Sequence, residues 1–90
     1  MTDLNELQNL AIEMNRVRGF DKDSLNDKII VATGELGELA NAVFRGKGNP
    51  IEELADYFAV GLVMANLLGM DGEKLGEEVR KKIESDMLRA

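Results

Sequence analysis

The chain has 90 residues, 44% of them hydrophobic and 31% charged, with a formal net charge of −6 and neither cysteine nor histidine. Without cysteine there are no disulfides, thiolate nucleophiles or zinc–cysteine sites, and without histidine the commonest general base and transition-metal ligand is missing. The acidic balance argues against a nucleic-acid partner, which would demand a basic face.

This length predicts a single domain over 1–90 with a core small enough to need help, so self-association is expected before any motif is read. No charged-then-apolar leader opens the chain, and the longest apolar run, 57–68, falls short of the roughly 20 residues a membrane span needs. The expectation is a cytoplasmic protein with no membrane partner.

One proline, few aromatics and apolar spacing near 3.6 predict an all-α chain of four helices. The first runs from about Asp3 to Arg18. Asp3 and Glu6 have capping-box spacing, Leu4, Leu7, Ala11 and Met14 form the apolar face with Leu10 and Val17 at its margin, and Gly19 stops it. Ser24 caps the second, where Leu25, Ile29, Ala32, Leu36, Leu39 and Val43 form one stripe up to "RGKGNP". Asn49 as cap, Pro50 in the first turn and Gly69 as stop define the third. That helix is apolar almost all round, which suggests enclosure against a second subunit. Asp71 caps the fourth, which carries Leu75, Val79, Ile83 and Met87 to the end. Short connections predict that sequential helices are antiparallel neighbours in a compact bundle.

Two acidic pairs interrupt these apolar helices. At about 100° per residue, Glu35 and Glu38 lie within roughly 60° of each other on helix two, as do Glu53 and Asp56 on helix three. Taken singly, each fits a solvated acid near a helix start, where the macrodipole favours it. As a set bordering apolar faces of consecutive helices, they can converge. One such pair about 5 Å apart costs about 3 kcal/mol at an effective dielectric near 20, so a converging cluster requires a cation. All-oxygen ligands select hard ions, Mg²⁺ or Mn²⁺ first and Ca²⁺ second. Mg²⁺ usually completes its shell with water and substrate phosphates.

On helix four, Lys82, Asp86 and Arg89 share a sector overlapping the Leu75/Val79 stripe, so they are expected to face inward and to grip phosphate. The bland alternative is a Lys82–Asp86 surface ion pair. The loop "RGKGNP" could present Arg45, Lys47 and backbone N–H groups to a phosphate, or be only a turn. Gly34 and Gly37 inside helix two cost about 1 kcal/mol each relative to alanine, suggesting close helix approach or room for a ligand.

The pattern Glu35-Leu36-Gly37-Glu38, a spacer, then Glu53-Leu54-Ala55-Asp56 resembles the MazG-like family of all-α nucleoside triphosphate pyrophosphohydrolases. Most of the chain takes part, from "ELQNLAIEMNRVRG" to "KIESDMLR". Lys82, Asp86 and Arg89 match that family's KxxxNxxR element with aspartate in place of asparagine, and Gly34 stands where a further glutamate is common. The resemblance implies a four-helix MazG-like bundle assembled as a homodimer or dimer-based homotetramer. It implies Mg²⁺-dependent hydrolysis of nucleoside triphosphates to monophosphate and pyrophosphate, with a house-cleaning role in the nucleotide pool. Glu35, Glu38, Glu53 and Asp56 would hold the metal, Glu38 would act on the attacking water, and Lys82, Asp86 and Arg89 would bind the phosphates. Two alternatives are a phosphoribosyl-ATP pyrophosphohydrolase and a non-catalytic helical interaction module with solvated acids.

Overall fold

The computed structural model describes residues 3–89, which form four helices and no strand. They are α1 (Leu4–Val17), α2 (Leu25–Arg45), α3 (Pro50–Leu67) and α4 (Gly72–Arg89). Among these residues no single helix is long and apolar enough to cross a membrane.

Each helix begins where the sequence supplies an oxygen for its free N–H groups. The Asp3 carboxylate accepts from the Glu6 N–H at 2.7 Å. Ser24 and Asp27 form a complete capping box, each side chain accepting from the other's N–H. Asn49 Oδ1 accepts from Ile51 and Glu52 ahead of Pro50. At α4, Asp71 accepts from the Lys74 N–H at 2.8 Å, and Asn5, from α1, accepts from the Glu73 N–H at 2.8 Å.

The helix starts of α1 and α4 are therefore stitched together across the chain. Gly72 makes that possible, because a Cβ there would fall well inside contact distance of the Leu4 carbonyl. Gln8, buried on α1, completes the joint by donating from Nε2 to the carbonyls of Leu62 (3.1 Å) and Met70 (2.9 Å).

The core is small and lies mainly between α1 and α3: Ala11, Leu62 and Val63 are buried, with Leu7 and Leu75 packed against them. Helix α3 is central, packing on α1, α2 and α4. The expectation that sequential helices are neighbours holds for α2 and α3 but not for α1 and α2. Their link is a hydrogen bond from Lys28 to Asn15, not a packed seam: each helix packs on α3 instead, and a cavity lined by all three lies among them.

The stripe on α2 also differs from the expected one. Leu25, Ala32 and Leu39 turn inward as anticipated, but they are joined by Lys28, Glu35 and Ala42, while Ile29, Leu36 and Val43 are left exposed. Both sets repeat every three or four residues, so periodicity alone could not choose between them. Contact with α3 along one side decides it.

The result is open. Helix α4 departs from α3 at 106°, and the radius of gyration is 14.4 Å, against about 12 Å for a compact chain of this length.

Candidate metal centre

The α2–α3 hairpin brings the acidic pairs together. Glu35, Glu38 and Glu53 each offer a carboxylate oxygen, and these oxygens lie within 4.8 Å of one another. Glu38 on α2 thus lies beside Glu53 on α3, while Asp56 and Glu35 line a common cavity. Asp56 stands outside the three-oxygen group, but its charge acts on both Glu35 and Glu53. The sequence-expected fourth ligand is thus beside the cluster and exposed.

The electrostatics are those of an unneutralised site. Glu35 is raised above the ordinary carboxyl value, first by burial and then by the charges of Glu38, Asp56 and Glu53. Glu53 is raised first by loss of solvent, then by the adjacent Glu38 carboxyl, and by the charges of Asp56 and Glu52. Although both residues are only half-buried overall, Glu35 Oε2 and Glu53 Oε2 are closed off from water and have no hydrogen-bond partner.

An orphaned carboxylate oxygen is unfavourable unless something cationic satisfies it. Two of them in one all-oxygen set are the donors that a hard divalent ion takes, so the residues present fit Mg²⁺ or Mn²⁺.

The loop before α3 contributes to closing the site. Gly48, at φ +102°, lies so near Glu53 that a Cβ there would be 3.4 Å from Glu53 Oε1. Arg45 and Lys47 in this loop are exposed. Gly34 and Gly37 have a different status from that expected, since a Cβ at either would meet nothing within 4 Å. Close helix approach is not their reason.

Lys82, Asp86 and Arg89 do not face inward. All three are exposed, and Lys82 pairs with Asp86 at 3.2 Å on a helix that does not pack against α2. Overlap with the Leu75/Val79 stripe does not bring them inward. That stripe itself is only half covered, because α4 swings away from the hairpin; Val79 is 48% exposed.

What sequence reasoning did not identify is the wall opposite the carboxylates. A cavity of about 250 Å³ is lined by Glu35 and Asp56 and also by Asn15, Arg18, Phe20 and Lys28. Lys28, 5% exposed, donates to Asn15 Oδ1 at 2.6 Å, pairs with Asp23 at 3.3 Å and sits 5.2 Å from the Phe20 ring centre. The signal was available in part, because Lys28 lies seven residues before Glu35 and so on the same helix face.

Comparison with known proteins finds no family model, no characterised protein and no solved structure that matches this chain.

Proposed function

We propose that this chain is a Mg²⁺-dependent nucleoside triphosphate pyrophosphohydrolase of the MazG-like kind, cleaving between the α and β phosphates to release monophosphate and pyrophosphate. The observation that carries this reading is the convergence of three carboxylates from two helices, with two oxygens orphaned, at the edge of a cavity. Glu35, Glu38 and Glu53 would hold the ion, with Asp56 completing the acidic ring. A divalent ion bound there supplies neutralisation of phosphate charge and a lowered pKa for water.

The protein's own groups divide the remaining work. Glu35 and Glu53, each with one carboxylate oxygen closed from solvent, are suited to fixed ligation. Glu38 is exposed and so is the carboxylate free to orient an attacking water and take its proton. The cavity beyond Glu35 and Asp56 would receive the nucleoside. Lys82 and Arg89 would grip phosphate only where assembly of the chain brings α4 to the site, since in the single chain α4 does not pack beside α2.

Incubation with a panel of ribo- and deoxyribonucleoside triphosphates, with and without Mg²⁺, tests the proposal by separation of products. Monophosphate plus pyrophosphate, formed only with the metal, is the expected result; diphosphate plus phosphate, or no turnover, would sink it. A second reading, a helical self-association module, is favoured by exposed Leu54 and Phe58 on α3. It expects no response to Mg²⁺.

A further inference from the structure

Resting on the nucleotide reading above, the wall of the cavity around Lys28 bears on which nucleotides the site accepts. Lys28 lies two turns before Glu35 on the inward face of α2, roughly 10 Å along the helix axis at about 1.5 Å per residue. The cavity runs between them, so a nucleotide whose phosphates are held at the carboxylates would direct its base toward Lys28.

The polar groups of this wall are arranged around the Lys28 ammonium. Asn15 Nδ2 donates to the Phe20 carbonyl at 2.9 Å, which turns its Oδ1 toward the Lys28 ammonium at 2.6 Å. Asp23 holds the same ammonium at 3.3 Å. An ammonium has three donors and no acceptor. Asn15 takes one of them and the Asp23 ion pair flanks the same nitrogen, which leaves donor capacity for whatever enters the cavity. Arg18, also on this wall, adds donors only, and among the described residues its side chain makes no hydrogen bond or ion pair. The acceptors nearest the ammonium, Asn15 Oδ1 and Asp23 Oδ2, are turned toward Lys28.

We propose that Lys28, oriented by Asn15 and Asp23, is a specificity-determining residue that selects nucleobases presenting a keto oxygen (uracil, thymine, guanine or hypoxanthine) over those presenting an amino group in its place (cytosine or adenine). A buried ammonium opposite a carbonyl gains a charge-assisted hydrogen bond, whereas opposite an amino group it loses that bond and faces another donor. Sites that discriminate by hydrogen bonding do so far more steeply than sites that discriminate by shape alone. A lysine serving merely to tie the α1–α2 connection down would leave base preference unmoved.

Titration calorimetry of UMP, dTMP, GMP, CMP and AMP in Mg²⁺ tests this. The wild-type protein is expected to bind the keto-base monophosphates at least about tenfold more tightly than CMP and AMP. Lys28→Met, of similar length, should bring that ratio close to one, and Lys28→Arg should retain part of it. Should Lys28→Met not fold, the ¹⁵Nζ resonance of Lys28 in the wild-type protein decides, moving with UMP and not with CMP. Equal affinities, a preference for amino bases, no binding of any monophosphate, or a ratio that survives in folded Lys28→Met would each overturn the proposal. Selective binding without turnover would sink the hydrolase reading and leave Lys28's role standing. Turnover without selectivity would do the reverse.

Discussion

Glu35 and Glu53 are held in a place where their charged forms are disfavoured, and the cause is their neighbours. Burial and the adjacent carboxylates raise both above the ordinary value of 4.5. For a carboxyl raised on folding, the folded state binds more protons than the unfolded state between the two pKa values. Its stabilising contribution is therefore full below the unfolded value and is lost as pH rises through the folded one. A divalent ion competes with those protons, so its effect runs the other way. Thermal melts should accordingly show a larger Mg²⁺-induced rise in Tm at pH 8 than at pH 5, and an equal rise at both would exclude these two side chains as ligands. Glu38 touches both partners electrostatically. Glu38→Gln and Asp56→Asn should each lower turnover by about 100-fold or more with helicity by circular dichroism unchanged; wild-type rates in both would refute the site. Which acids border apolar surface was legible in "GELGELANAV" and "EELADYF". That three oxygens fall within 4.8 Å while Asp56 stands aside was not, because side-chain reach across a hairpin depends on register.

At the scale of elements, the helix starts follow directly from local chemistry. Asp3, Ser24, Asn49 and Asp71 each cap the helix that the sequence assigns to them, since a cap involves residues only two or three apart. The joint between α1 and α4 is different in kind. It needs Asn5 to reach Glu73, Gln8 to reach Met70, and Gly72 to let two helix starts approach, all contacts between residues distant in sequence. Gly72→Ala should push α4 off α1 and destabilise the fold by about 1–3 kcal/mol, as overpacking typically does. Chemical denaturation measures this, and an unchanged midpoint would mean that α4 is not docked as described. The face that α2 turns inward was also beyond local reasoning. Lys28 and Glu35 lie in the seam with Ala32 and Leu39, a choice made by α3 and not by hydrophobic period.

Considered whole, the chain leaves more apolar surface uncovered than a solitary protein of this size is expected to carry. Leu10, Ile51, Leu54 and Phe58, each at least half exposed, line a groove of about 580 Å³ between α1 and α3, and Val79, Ile83 and Met87 on α4 border a second that also reaches Phe58. These grooves are the surfaces on which the self-association expected from chain length is to be tested. Sedimentation equilibrium should find a dimer or tetramer, and Phe58→Glu, which places a charge where both grooves meet, should shift it toward monomer. A monomeric wild-type protein would remove the assembly from the proposal. It would also leave Lys82 and Arg89, exposed on α4, without a route to the phosphates.

By itself the sequence determined the helical class, the four helix starts and the acidic residues worth attention, because capping and 3.6-residue periodicity are short-range effects written in neighbouring residues. Only the packing of distant segments decided that α1 and α2 each rest on α3 instead of on each other, that α4 swings outward with Lys82 paired to Asp86, and that Lys28 and the carboxylates line one cavity. Those outcomes depend on which of two equally periodic faces is buried and at what angle helices cross, and packing between distant segments settles both.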